Sequence, residues 1–433
     1  MYERLIEGGN ITLFSPQDVP GLYESFFADQ DKFKELYEKA ERSTKIRKKS
    51  MPASKLFSDF MEERKNTGRI YLMNVDNAND HGAFKSEVAP IRQSNLCCEI
   101  DLPTKPLSSY TDDEGEIALC TLSAINWGNI KDPRDFQVPC ELAVRGLDAL
   151  LDYQNYPVKA AENATMKRRP LGVGIINLAY WMAKQDMTYS NPNLEVIDRW
   201  AEAWSYYLIK ASADLAVEDG ACPGNSDTKY SDGLLPIDTY KKDVEELVQH
   251  KERMAWTSLR KQLKETGIKN STLMALMPAE TSAQISNSTN GIEPPRSLVS
   301  VKQSKHGVLK QVVPGIATIK KKYELLWDQK SPDGYIKIMA ILQKYVDQGI
   351  SVNTSYNPIH HEEEKIPMST MLGHLLTFYK YGGKQLYYFN TYDGAGEIEI
   401  KDMVSEAEEV TTLERSNFSS DAEYDEYCES CAI

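Results

Sequence analysis

An α/β architecture with a largely parallel sheet or barrel is what this 433-residue chain predicts. Segments of helical periodicity alternate with short apolar runs of strand length, and the runs carry β-branched and aromatic residues or turn signals at their ends. A hydrophobic content of 41% over this length suffices for a sizeable core.

In chain order, residues 2–8 read as an amphipathic helix already in progress, with no cap before it. That is natural in the latter part of a longer fold, although helices at a true N-terminus also often lack caps. Apolar residues at three- and four-residue spacing mark helices over 31–42, 54–65, 140–153, 196–216, 334–348 and 368–381. The strand candidates are 69–75, 96–102, 117–125, 272–277 and 385–389. Residues 1–390 form the body of the chain. From 391 to 433 periodicity is lost and the sequence is read as a mobile acidic tail that ends in Cys428 and Cys431.

Charge follows the same division. The net charge is −14, and 391–433 alone holds 13 acidic and 2 basic side chains, so the body is close to neutral. No basic stripe is present to neutralise phosphates, which argues against nucleic-acid binding, and the basic run 45–49 reads as a solvated loop or helix end. No stretch of eighteen apolar residues occurs and 1–7 lacks a signal-peptide apolar core, so the expectation is a soluble cytoplasmic protein without membrane contact. Seven cysteines in such a chain are expected to be free, catalytic or metal-bound rather than a disulfide scaffold.

The chemistry-bearing residues are sparse. Asn95-Leu96-Cys97-Cys98-Glu99 is followed 23 positions after Cys97 by Cys120, and far downstream stand Tyr387-Tyr388 and Cys428-Glu429-Ser430-Cys431. In an extended segment Asn95, Cys97 and Glu99 share a face, placing a hydrogen bonder, a sulfur and a base on one wall. The same pentapeptide also reads as a buried strand with an incidental thiol, and Cys120 as a core thiol. Glu280-Thr281-Ser282 lies where an apolar run gives way to a polar turn. That turn either presents N–H groups and hydroxyls to an anion, if a helix follows, or is an ordinary N-cap. Adjacent tyrosines in a regular strand face opposite sides, so stacked Tyr387 and Tyr388 rings require a local departure from extended geometry. Gly172-Val173-Gly174 lacks the third glycine of a dinucleotide fingerprint and is expected to serve close packing. The cluster 360–364 reads as a solvated loop. The terminal Cys-x-x-Cys has no second cysteine or Cys/His pair with which to build a zinc site, and no metal site is expected.

Taken together, Asn95–Glu99, the 117–120 run, Pro278–Ser282 with 290–296, Tyr387-Tyr388 and the cysteine terminus resemble the C-terminal half of the class I (Ia-like) ribonucleotide reductase large subunit, in the same order and over essentially the whole chain. Nothing resembles that family's N-terminal ATP-binding cone, effector loops or first active-site cysteine. The resemblance therefore implies the finger loop and second half of a ten-stranded α/β barrel, completed by a separate N-terminal chain. It implies that Cys97 is the thiyl radical, Glu99 the general base, and Asn95 a hydrogen-bonding partner of the substrate hydroxyls. Cys120 becomes one of two reducing thiols, with its partner in the missing half. Ala279, Glu280, Thr281 and Ser282 hold the phosphates of a ribonucleoside diphosphate, Tyr387 and Tyr388 carry the radical, and Cys428 and Cys431 re-reduce the site. Implied partners are the N-terminal half, a radical-generating, metal-containing small subunit received in a groove between the opening helix and the 368–381 helix, and thioredoxin or glutaredoxin as reductant. No cofactor is bound by the chain itself. Two departures stand out: the terminal pair is spaced by two residues where the family commonly has four, and Cys98 replaces an apolar residue beside the radical cysteine and is expected to be inert. Two other function classes remain open at this stage, a noncatalytic module that occupies a small subunit and a thiol-disulfide exchange protein working through Cys428 and Cys431.

Overall fold

The computed structural model describes residues 1–109, 111–304 and 307–392. Among them the strands are β1 (Asn10–Phe14), β2 (Lys48–Pro52), β3 (Leu72–Met73), β4 (Leu122–Asn126), β5 (Gly172–Ile176), β6 (Val299–Ser304), β7 (Gly307–Val312), β8 (Val352–Tyr356) and β9 (Gln385–Thr391). β4 pairs with β5 and β8 with β9, both in parallel. The 272–277 segment joins the two pairs through parallel bridges from Val173 to Met274 and from Leu276 to Ile350. β3 adds antiparallel to β9. The order β4, β5, 272–277, β8, β9, β3 is the expected largely parallel sheet, and no pairing among the described residues closes β3 onto β4 into a barrel.

The helices fall close to their expected places, at Gln30–Arg42, Ala53–Thr67, Gln137–Tyr153, Leu194–Asp219 and Met368–Lys380. The strands depart further. Within 69–75 only Leu72–Met73 pairs, and within 117–125 pairing starts at Leu122. Residues 96–102 form no strand, and 272–277 contributes bridges rather than a continuous ladder. The basic run enters an antiparallel pair, β1 with β2, where the exposed faces of Lys48 and Lys49 meet solvent. Gly174 is a close-packing glycine, since a Cβ there would lie 2.6 Å from Met277 Sδ.

Leu194–Asp219 is the central helix. Asn193 caps it by accepting from Val196 N at 3.2 Å, and Gly220 at φ 83° ends it. Sixteen of its 26 residues are buried, among them the polar Asp198, Glu202, Ser205 and Ser212. Trp200 and Trp204 pack with Trp127, Trp181 and Phe136, with ring centroids 4.9–6.3 Å apart. Its buried Asp198 accepts from Lys344 Nζ at 2.9 Å, Tyr345 OH at 2.8 Å and Arg253 at 2.9 Å. These contacts explain why the 334–348 helix stops at Gln343: Lys344, Tyr345 and Asp347 spend their polar groups on tertiary partners.

The turn that follows is the hub of the sheet. Asp347 accepts from the N–H groups of Leu273 and Met274 at 2.8 and 2.9 Å and from Tyr230 OH at 2.9 Å. Gln348 donates to Leu171 O at 2.8 Å, and Gly349 N donates to Glu99 O at 2.9 Å. Lys384, fully buried, donates to the carbonyls of Gln348 and Asp347 at 2.6 and 3.3 Å. Asp101 lies beneath, accepting from Gln385 Nε2 at Oδ1, while its buried Oδ2 has no protein partner. Burial raises its carboxyl from 3.8 to about 6, against the pull of Lys384 and Gln385.

The sign of that shift yields a prediction. The unfolded chain releases the Asp101 proton near pH 3.8 while the folded chain keeps it to about pH 6, so this group's stabilising contribution is lost as pH rises through that window. A shift of about two units corresponds to about 3 kcal/mol. Asp101→Asn does not titrate, so its stability relative to wild type is expected to rise by up to that amount between pH 4 and 6.5, as read from urea midpoints; a constant difference would contradict it.

Candidate active site

Cys97 lies in a tight turn, not a strand. Cys98 N donates to Asn95 O at 3.1 Å, and Asn95 Oδ1 caps the turn by accepting from Glu99 N at 3.0 Å and Ile100 N at 3.1 Å. Cys98 takes a left-handed φ of 63°, which extended geometry cannot accommodate. The period-two argument for a shared face therefore fails, yet the side chains it grouped still converge, because the turn folds Asn95 back over Glu99.

Asn95 Nδ2 donates to Glu99 Oε1 at 2.9 Å and lies 3.6 Å from Cys120 Sγ. Glu99 is buried, and its second oxygen accepts from Ser351 Oγ at 3.1 Å. Ser351 also donates to the Cys97 carbonyl, so the hub turn fixes both residues. Burial raises the Glu99 carboxyl, and the hydrogen bonds from Asn95 and Ser351 hold the shift in check. Cys97 is half-buried and Cys120 exposed, so Cys120 is not the core thiol of the alternative reading. Cys98 is buried, and desolvation pushes its thiol up to about 12.

Tyr387 reaches the same point from the sheet, its OH 3.8 Å from Cys97 Sγ. The Tyr387 and Tyr388 rings lie 3.9 Å apart by centroids at 44°. The required departure from extended geometry is a bulge: Val352 pairs with Leu386 and Thr354 with Phe389, so three steps along β9 oppose two along β8. Asn353 Oδ1 takes up the displaced Tyr388 N–H at 2.9 Å. Tyr71 completes a triad, 4.8 Å from Tyr387 and 5.7 Å from Tyr388, with burial and the Tyr388 hydroxyl pushing its own hydroxyl up to about 12. Tyr71 and Ser351 were not found by sequence reasoning. Tyr71 lay in a segment read only as strand and Ser351 in no predicted element, with nothing local to mark their long-range partners.

Ala279 stands at the start of a short helix, Glu280–Ile285, so a helix does follow the polar turn and neither Thr281 nor Ser282 is its N-cap. Glu280, Thr281 and Ser282 are exposed, on a segment tied to β4 and β5 through Ser288, Asn126, Asn177 and Thr289. Cys428 and Cys431 lie outside the described residues. No helix among the described residues is long and apolar enough to cross a membrane.

A parallel α/β sheet with two cysteines, a buried carboxylate and a tyrosine cluster gathered at one wall defines an enzyme-like thiol and carboxylate site. The comparisons give the family: residues 1–389 match the ribonucleotide reductase barrel domain, and the chain belongs to that family. It is 57% identical over 400 residues to the ribonucleoside-diphosphate reductase subunit alpha of Haemophilus influenzae, covering 92% of this chain and 53% of that protein. Against ribonucleoside-diphosphate reductase 1 subunit alpha of Escherichia coli the identity is 52% over 396 residues, 91% of this chain and 52% of that protein. Against the alpha subunit of Enterobacteria phage T4 it is 47% over 401 residues, 92% and 52% respectively. The chain thus spans about half the length of the curated relatives it matches.

Gly349 tests how closely hub and turn are packed. A Cβ there would lie 2.0 Å from Gln385 Oε1 and 3.2 Å from Cys98 O. Gly349→Ala is expected to cost about 2–3 kcal/mol of stability through overpacking, seen as a lower urea midpoint. An unchanged midpoint would show that the turn is free to move.

Proposed function

We propose that this chain is the catalytic C-terminal component of a ribonucleotide reductase large subunit, reducing ribonucleoside diphosphates in the cytoplasm once a separate N-terminal half completes the ten-stranded barrel. One observation carries the reading: the Tyr387 hydroxyl stands 3.8 Å from Cys97 Sγ, on the wall where Asn95 links Glu99 to the vicinity of Cys120. The family membership and the named relatives support it.

The residues divide the work in a balanced sequence. The oxidising equivalent comes from a metal-containing small subunit. Tyr388 and then Tyr387 pass it on by hydrogen-atom exchange; the Cys97 S–H bond breaks, the Tyr387 O–H bond forms, and the unpaired electron rests on sulfur. The Cys97 thiyl takes the ribose 3′ hydrogen while Glu99 accepts the 3′ hydroxyl proton. The 2′ hydroxyl leaves as water with one proton from the thiol pair. Cys120 and a thiol from the N-terminal half give up two electrons and two protons in all, the second proton ending on C2′, and form a disulfide. Glu99 returns its proton to the 3′ oxygen, and Cys97 returns its hydrogen to C3′ to become the thiyl again. Asn95 orients the hydroxyls with both ends of its amide. Ala279, Glu280, Thr281 and Ser282 receive the phosphates. Cys428 and Cys431, on the acidic tail, exchange with the new disulfide and are themselves reduced by thioredoxin or glutaredoxin. The small subunit's terminal peptide docks where the opening helix meets Met368–Lys380, a junction supported by Tyr2 packing on Tyr379 at 4.5 Å.

Mixing the chain with an N-terminal half and a small subunit is expected to produce deoxynucleotide, the chain alone none, and Cys97→Ser none in the assembly. Turnover by the unaided chain or by the Cys97→Ser assembly would overturn the reading. In the assembly Ser351→Ala removes a hydrogen bond that lowers the Glu99 carboxyl, so the acid limb of the kcat profile is expected to move to higher pH, with activity recovering as pH rises. A profile unmoved by this change would exclude Glu99 as the base.

A further inference from the structure

Asp101 and Gln385 are buried, at 1% and 0% exposure, and they join the two segments that carry chemistry. Asp101 stands two residues beyond Glu99, and Gln385 opens β9 two residues before Tyr387. One hydrogen bond links them, from Gln385 Nε2 to Asp101 Oδ1. The second atom of each group is left over: among the described residues, Asp101 Oδ2 and Gln385 Oε1 are both buried oxygens without a hydrogen-bond partner. Two empty acceptors on a pair already joined carry a desolvation cost with nothing set against it. The carboxamide is closed in by Gly349, where a Cβ would lie 2.0 Å from Gln385 Oε1. Lys384, whose charge draws on Asp101, gives its hydrogen bonds to the carbonyls of Gln348 and Asp347. The remaining ionisable groups that act on Asp101 are Glu99 and Cys98 on its own segment and Asp347 on the hub turn, and a negative charge on any of them disfavours one on Asp101.

We propose that Asp101 carries a proton on Oδ2 at neutral pH and donates it to Gln385 Oε1, so that acid and amide close a two-bond ring that holds the cysteine segment against the tyrosine strand. One hydrogen then satisfies both empty oxygens, and no charge remains on the pair. Burial alone keeps the proton to about pH 6. A hydrogen bond that only the neutral acid can donate carries that limit higher, since bonding to the neutral form disfavours the charged one. The consequence for turnover rests on the radical reading above. There the ring makes Asp101 a positioning residue, because a slip between segment and strand changes the 3.8 Å approach of the Tyr387 hydroxyl to Cys97 Sγ.

Infrared difference spectra of the full chain at pH 7, wild type minus Asp101→Asn, are expected to show the carbonyl band of a protonated carboxylic acid, shifted in deuterated water; a missing band overturns the inference. Asparagine also separates an acid from a carboxylate that serves Lys384. Its amide can form the same two bonds to Gln385, so Asp101→Asn is expected to unfold at a urea midpoint equal to or above that of wild type at pH 7, whereas removal of a needed counter-ion would lower it. In the assembled enzyme Asp101→Asn is expected to keep kcat and nucleotide KM within about threefold of wild type. Gln385→Glu sets two carboxyls face to face, where they hold one proton between them and leave one pair of facing oxygens without a hydrogen. Its kcat is expected to fall about tenfold with KM within about twofold. Combining Asp101→Asn with Gln385→Glu restores an acid and an amide in exchanged places, and kcat is expected to return to within about threefold of wild type. An exchanged pair as slow as Gln385→Glu, or a Gln385→Glu enzyme as fast as wild type, would remove the positioning role. Tyr387→Phe measured alongside tells the failures apart: if it turns over, the radical reading falls and the infrared band stands by itself, whereas an inactive Tyr387→Phe with no band removes only this inference.

Discussion

Five residues, Asp347 to Ser351, hold together the parts of this molecule that carry chemistry. Their backbone and side chains bond to Glu99 on the cysteine turn, to Leu171 before β5, to 273–276, and to Lys384 before the tyrosine strand. Most of these bonds are buried, where an unmade bond costs more than a made one contributes. The turn is therefore held from several directions at once, and Ser351 passes its position on to Cys97 and Glu99.

The same dryness sets the electrostatics. Asp101 and Glu99 are pushed toward their neutral forms, Lys384 is drawn down, and Arg64 donates to the carbonyls of Ile70, Tyr387 and Tyr388. Polar groups this deep are costly unless their position matters. Here they lie beneath and beside one wall, with Asp101 two residues beyond Glu99 and Gln385 two before Tyr387.

The bulge in β9 shows how geometry and chemistry meet. A regular strand would send Tyr387 and Tyr388 to opposite faces. The extra step against β8, with Asn353 accepting the displaced N–H, brings the rings together, and the Ile70 segment lays Tyr71 against both. Three aromatic rings and a thiol come into near contact without an unsatisfied N–H at Tyr388.

Helical periodicity needs only neighbours three and four residues away, and so the long helices and the α/β class were legible in the chain itself, whereas Asn95, Cys97, Glu99, Cys120, Tyr387 and Tyr388 were singled out by a family resemblance and not by local spacing. Residues 96–102 were misjudged as a strand because an apolar run does not distinguish an extended segment from a buried turn, and the left-handed Cys98 carries no glycine to betray it. The 272–277 pairing, the early end of the helix at Gln343, the bulge, and the roles of Ser351, Tyr71 and Arg64 belong to the tertiary structure alone. Each depends on partners far away in sequence, with Arg64 meeting the Tyr387 carbonyl across 323 positions. Side-chain identity and local spacing are properties of the chain; which distant groups share one desolvated pocket, and so which charges and protons they keep, is decided only when the chain folds.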